Sequence, residues 1–117
     1  MTIDAAIKSA VGPLVAGGCH FVANTSATIT LPYVVFYEVG GTPETGISLD
    51  YLGITEHRYQ VDVFAQSPEQ AKGLSLGVIK DVLAQDVQGR LTFQMTGQFN
   101  PVDKTYQYIT EYELWAE

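Results

Sequence analysis

Nine consecutive residues, Leu31-Pro32-Tyr33-Val34-Val35-Phe36-Tyr37-Glu38-Val39, do most to limit the folds open to this chain. The run is β-branched and aromatic almost throughout, which is the composition of a strand. A strand alternates its side chains between two faces. Near-continuous apolarity therefore predicts a strand covered on both faces, by its own domain or by a neighbouring subunit. Pro32 falls at the start, where a missing N–H does little harm. Such a strand needs partners, and the sequence offers them. Residues 54–65 alternate, with Tyr59, Val61, Val63 and Ala65 on one face and Arg58, Gln60 and Asp62 on the other. Leu91, Phe93 and Met95 alternate with Thr92, Gln94 and Thr96, after which residues 97–103 turn the chain. Residues 105–116 place Tyr106, Tyr108, Thr110, Tyr112, Leu114 and Ala116 on one side. Ile109 and Trp115 lie on the other side among Gln107, Glu111 and Glu113. Residues 19–22 are a shorter candidate strand.

Two segments carry helical periodicity instead. Ile3, Ile7, Val11 and Leu14 recur at spacings of four, four and three, the stripe of an amphipathic helix. Gly12-Pro13 interrupts it, so the spacing predicts a helix over about 3–11, a short turn to about 16 and a stop at Gly17-Gly18. Ser67-Pro68-Glu69-Gln70 supplies a cap, a proline at the first helical position and a glutamine three residues after the serine. Ala71, Leu74, Val78 and Val82 follow as the apolar stripe with Leu83 beside it, predicting one helix that ends before Gly89. Residues 24–30 are polar and rich in Ser and Thr, hence loop. Residues 40–53 hold four glycines and a proline without periodicity, a flexible loop long enough to be functional or disordered. Helices this sparse cover one face of a sheet, so the expected class is α+β: a mainly antiparallel sheet with two helices on one face. At 117 residues the chain is expected to form one domain over 1–117.

Charge narrows the function classes. Thirteen acidic residues against six basic ones give a net charge of −7. Sequence-independent nucleic-acid binding needs a basic patch that displaces counterions, and docking on anionic lipid needs the same sign; the chain is expected to do neither. Cys19 is the only cysteine, so neither an internal disulfide nor a four-cysteine zinc site can form. Met1-Thr2-Ile3-Asp4 lacks a positively charged signal-peptide start, and no apolar run reaches the roughly 20 residues that span a bilayer; the expected location is the cytosol.

Catalytic patterns fail on their structural requirements. Gly73-Leu74-Ser75-Leu76-Gly77 matches G-x-S-x-G, but the nucleophile elbow needs a strand-to-helix turn with a histidine later in the chain. Here the five residues lie within a predicted helix, and both His20 and His57 precede Ser75. The plainer reading puts Gly73 and Gly77 on one helix face, permitting close backbone approach. Cys19-His20 are adjacent and so point in different directions along a strand; Cys19 reads as a packed structural residue. The Gly40–Gly46 stretch lacks the Gly-Lys-Ser/Thr of a phosphate loop. Glu111 and Glu113 share an otherwise polar strand face, solvated or intersubunit, rather than forming an acid/base pair with Asp62. No catalytic residue, metal or cofactor is expected. The seven tyrosines and one tryptophan are residues enriched at protein interfaces, and Tyr106, Tyr108 and Trp115 are candidate contacts.

Three features together resemble a known family: Leu31-Pro32-Tyr33-Val34-Val35-Phe36 after a short early strand; the Gly-rich loop followed by His57-Arg58-Tyr59-Gln60-Val61-Asp62-Val63-Phe64-Ala65 and the helix from Ser67-Pro68-Glu69-Gln70-Ala71; and the Tyr-rich strand ending at Leu114-Trp115. In order and spacing the chain resembles, over essentially its whole length, the tail completion or tail terminator proteins of long-tailed bacteriophages and prophages. The resemblance implies a structural role without chemistry. Such proteins form a ring, typically hexameric, on the head-proximal end of the tail tube, stop its polymerisation and prepare head joining. The implied partners are further copies of the chain, the tail tube protein and head–tail connector proteins. The implied location is the bacterial host cytoplasm during assembly and the virion tail afterwards. Thr42, Glu44, Ile47 and Leu49 in the loop are the expected contact segment. A head–tail joining or neck protein of related fold and a cytosolic small-ligand module are the alternatives.

Overall fold

The computed structural model describes residues 3–23, 30–40, 55–102 and 104–116. Helix α1 spans Ile3–Val11 and continues into a 3₁₀ turn at Gly12–Leu14. Strand β1 is Cys19–Phe21, β2 is Tyr33–Gly40 and β3 is Thr55–Ala65. Two helical segments follow, α2 at Pro68–Leu76 and α3 at Val78–Asp86. The chain closes with β4 at Arg90–Asn100 and β5 at Thr105–Ala116. The strands form one sheet in the order β1-β2-β3-β5-β4. Every pairing is antiparallel except β1 with β2, which is parallel. The fold is α+β with a mainly antiparallel sheet, as the alternating segments predict.

Side-chain parity sorts the sheet into two faces. Val34 and Phe36 of β2 stand beside Val63 and Val61 of β3, which stand beside Tyr108 and Thr110 of β5. This face is buried under the helices, through Ile7 and Val11 of α1, Ala71 of α2 and Ile79 and Leu83 of α3. Removing each such side chain from water contributes roughly 1.5–3 kcal/mol, so this layer is where the fold is held. Asp4, in the first turn of α1, accepts a 2.6 Å hydrogen bond from the Tyr59 hydroxyl and ties that helix to β3. At the start of α2, the Ser67 hydroxyl accepts from the Gln70 backbone N–H at 3.1 Å, the predicted cap.

Three elements need correction. The predicted single helix after Ser67 is broken at Gly77, whose backbone sits at φ −104°, ψ −107°. A Cβ there would lie 2.6 Å from the Gly73 carbonyl oxygen, so the break admits only glycine without a shift. Gly73 itself has open space where a Cβ would be, so close approach explains one glycine of the pair and not the other. The buried line is Ala71, Ser75, Ile79 and Leu83, while Val78 is 47% exposed. On an unbroken helix a spacing of four drifts by about 40° per step, and the break at Gly77 resets the phase.

Strand β4 runs to Asn100, past the expected end at Thr96. Its register with β5 slips between Thr96 and Phe99, a bulge that absorbs Gly97 and Gln98 without ending the strand. Strand β5 is internal, paired to β3 and to β4, so the Tyr-rich strand is not an exposed one. One face of β2 lies under the helices. The helices pack over Val34 and Phe36, and among the described residues no helix packs on the face that carries Tyr33, Val35 and Tyr37.

Candidate functional site

The uncovered face of the sheet is the surface with the most unexplained chemistry. Its side chains lie in cross-strand rungs fixed by the register. One rung runs His20, Val35, Asp62, Ile109, Met95 from β1 to β4. Tyr37, Gln60, Glu111 and Phe93 form the next, and Tyr33, Phe64 and Gln107 lie on the opposite side of it. The Tyr33 and Phe64 rings stack with centroids 4.8 Å apart and planes 13° from parallel. The edge of His20 meets Tyr33 at 6.4 Å. Apolar groups therefore flank a polar centre.

Asp62 is that centre, and it is only 4% exposed although among the described residues no helix covers it. The Gln60 amide donates to both of its oxygens, at 2.9 and 3.2 Å, and the Gln107 amide donates to Oδ2 at 3.1 Å. Burial pushes the Asp62 carboxyl above its usual range, and the two amide donors pull it partly back. Gln107 also reaches the other way: its Oε1 accepts from the backbone N–H of Gln98 at 3.3 Å. One side chain thus links the β4 bulge to the middle of β3. Gly97 leaves room for it, since a Cβ there would come within 2.7 Å of the Gln107 Cγ. Burial first, then the charges of Asp62 and Glu111, raise the Tyr37 hydroxyl. Beyond this cluster, Arg58 pairs with Glu111 at 3.4 Å and Arg90 with Glu113 at 2.6 Å. Exposed pairs of this kind contribute little to stability and leave the face nearly neutral.

Strand β4 borders this face as a free edge, and none of its residues is buried. Phe93, Met95 and Phe99 are 45–47% exposed. On the helix-covered side, the far end of the β4–β5 hairpin and the first turn of α2 enclose a cleft of about 440 Å³, lined by Pro68, Lys72, Thr96, Phe99, Tyr106 and Tyr108 among others. The Phe99 and Tyr106 rings lie 4.7 Å apart there.

The residues singled out from sequence are not brought together. Tyr106 lines the cleft and is half-buried. Tyr108 is 6% exposed and belongs to the core, meeting open space only where it lines the cleft. Trp115 is placed by register opposite Glu56 of β3. Thr42, Glu44, Ile47 and Leu49 lie outside the described residues. Ser75 is fully buried within α2, unlike the exposed serine that an elbow presents. Cys19 is buried, and burial pushes its thiol up to about 12, with Lys8 lowering it slightly; an ordinary thiolate nucleophile is suppressed. His20 donates from Nε2 to the Gly17 carbonyl at 2.8 Å, and His57 pairs through Nδ1 with Glu38 at 2.6 Å. Among the described residues no group of three or more His, Cys, Asp or Glu is placed to hold a metal ion, and no helix is long and apolar enough to cross a membrane.

The Asp62 cluster is the feature that sequence reasoning missed. Its signal was the acidic residue at the middle of an otherwise well-patterned strand, flanked two positions away by an amide. No family model matches the chain, and no curated protein is similar enough to it to count as a relative.

Proposed function

We propose that the chain is a non-enzymatic virion assembly subunit that caps the head-proximal end of a long bacteriophage tail tube as a homo-oligomeric ring, stopping tube growth and preparing head joining. The observation that carries this reading is the sheet's uncovered face, apolar at its margins and hydrogen-bonded at its centre, in a chain whose sequence resembles tail terminators from end to end. A strand as apolar as β2 is suited to a second covering layer, and a neighbouring subunit provides one. Head-to-tail contacts around a closing rotation give a ring, whereas an axial self-contact gives a filament. The cap must therefore offer the tube one surface and the head a different one. A net charge of −7 suits a ring through which DNA passes, since like charges repel; measurable duplex binding at moderate salt would count against that feature.

The decisive experiment deletes the gene from an inducible source phage and measures tail lengths by negative-stain electron microscopy. Overlong, headless tubes are the expected result. Tails of normal length that fail to join heads indicate a joining protein instead, and infectious particles of normal form overturn both. The cleft beside Phe99 and Tyr106 favours one second reading, a binding module for a small aromatic ligand, because about 440 Å³ is within the range of ligand pockets. That reading requires saturable binding of an aromatic probe such as anilinonaphthalene sulfonate, lost in Phe99→Ser.

A further inference from the structure

We infer that β4 is a self-association edge, through which two copies of this chain join by an antiparallel, two-fold ladder of β4 on β4. The inference does not rest on the tail-cap reading; it concerns the free subunit.

The sheet has two edges. Strand β1 offers three residues, Cys19–Phe21, and β4 offers eleven, Arg90–Asn100. Among the described residues no strand pairs on the outer side of β4; an edge of that length is a template for another strand, and folded proteins ordinarily guard such an edge with charge or proline. The run from Leu91 to Asn100 contains neither. Because the run carries no charge, two copies of a chain of net charge −7 can approach along it without local repulsion. The same uncharged run on both partners suits a second copy meeting edge to edge.

The pattern along β4 is also self-complementary. A two-fold axis perpendicular to the sheet keeps each face on its own side, so residues paired across it must share a face. Phe93 and Met95 both lie on the uncovered face, as partners of Glu111 and Ile109, while Gln94, partner of Thr110, lies on the other. With the axis at Gln94, Phe93 meets the partner's Met95 and Met95 meets the partner's Phe93. The two Gln94 amides then face each other on the opposite side, where amide can bond amide. Aromatic and apolar cross-strand pairs stabilise a ladder, and here both exposed apolar residues of the uncovered face of β4 find one. The regular stretch is short, because the β4–β5 register slips on both sides of it, between Leu91 and Phe93 and between Thr96 and Phe99. The contact is therefore smaller than a standard interface of roughly 1,600 Å², and the dimer is weak and concentration-dependent.

Sedimentation velocity on the full chain, from about 1 µM to about 500 µM, reads this directly. The expected result is a monomer–dimer equilibrium over that range, on the weak side of what small interfaces give. Gln94→Lys and Gln94→Glu each place two like charges on the axis, and each is expected to weaken the dimer at least tenfold. Gln94 is exposed, so both variants keep the parent's circular dichroism and melting curve. Mixing the two variants in equal amounts is expected to restore a dimer, as the mixed species pairs opposite charges. A monomer throughout, a Gln94→Lys dimer as tight as the parent's, a larger species with no dimer, or a failure of mixing to restore association overturns the inference. None of those outcomes alters the tail-length test, so the two readings fail separately.

Discussion

The two faces of the sheet are built from the same strands and solve opposite problems. On the helix-covered face, Val34, Phe36, Val61, Val63, Thr110 and Tyr112 are each at most 1% exposed, and burial of carbon drives the packing. On the uncovered face, Asp62 and Val35 are nearly as hidden, at 4% and 8%, and among the described residues no helix lies over them. Hydrogen bonds from Gln60 and Gln107 hold the Asp62 carboxyl in place there. The first face is a hydrophobic interior; the second is a hydrogen-bonded polar arrangement between apolar margins. The difference shows that burial alone does not identify a hydrophobic core, since a sheet face can also hide a hydrogen-bonded carboxyl group.

Substitutions test how deep that difference goes. The largest effect is expected for Phe36→Ala, which empties a fully buried site and costs about 3–5 kcal/mol in denaturant unfolding. Phe93→Ala, at a site 45% exposed, is expected to stay within about 0.5 kcal/mol. Equal losses at the two would erase the distinction between the faces. Ser75→Ala sharpens it from the other direction. The Ser75 hydroxyl is buried under the helices without a hydrogen-bond partner, so its removal is expected to stabilise the chain by about 1 kcal/mol. A destabilisation of that size would mean the hydroxyl has a bond that the structure lacks.

Asp62→Asn probes the uncovered face by pH. Burial raises the folded-state carboxyl above its unfolded value, so the native state holds this proton more tightly than the unfolded chain does. The contribution is then fully favourable below the unfolded carboxyl range and is lost as pH rises through the folded value. The parent is expected to lose stability relative to Asp62→Asn as pH rises from the acid side toward 7, read as the difference between the two melting temperatures. Parallel pH profiles would sink the idea that Asp62 is held in a desolvated site. The smallest effect belongs to Arg90→Ala, whose ion pair to Glu113 joins a mostly exposed arginine; its unfolding free energy is expected to change by less than about 0.5 kcal/mol, and less still in high salt.

Much of this architecture was legible from alternation. The parity of Tyr59, Val61, Val63 and Ala65 against Arg58, Gln60 and Asp62 assigns β3's two faces correctly, and the stripe of Ile7 and Val11 sets α1. What was hidden depends on contacts far apart in the chain. Strand order places β5 in the middle, which turns Tyr108 from a candidate contact into core. The break at Gly77 was invisible because the buried line runs through Ala71 and Ser75, which carry little apolar signal. Gly97 reads as the end of a strand, and only Gln107 opposite it reveals a bulge. The candidate site was legible as a polar face, whereas the burial of Asp62 comes from Gln107, 45 residues later.

The single thiol gives this fold a built-in clock. Cys19 sits on the shortest strand, at the end of the sheet away from β4, with its sulfur in the core. An alkylating reagent can reach it only when that end of the sheet opens. The labelling rate under native conditions, compared with the rate in denaturant, therefore gives the opening free energy of the β1 end. In a cell, the same shielding spares the chain from oxidation for as long as that end stays closed.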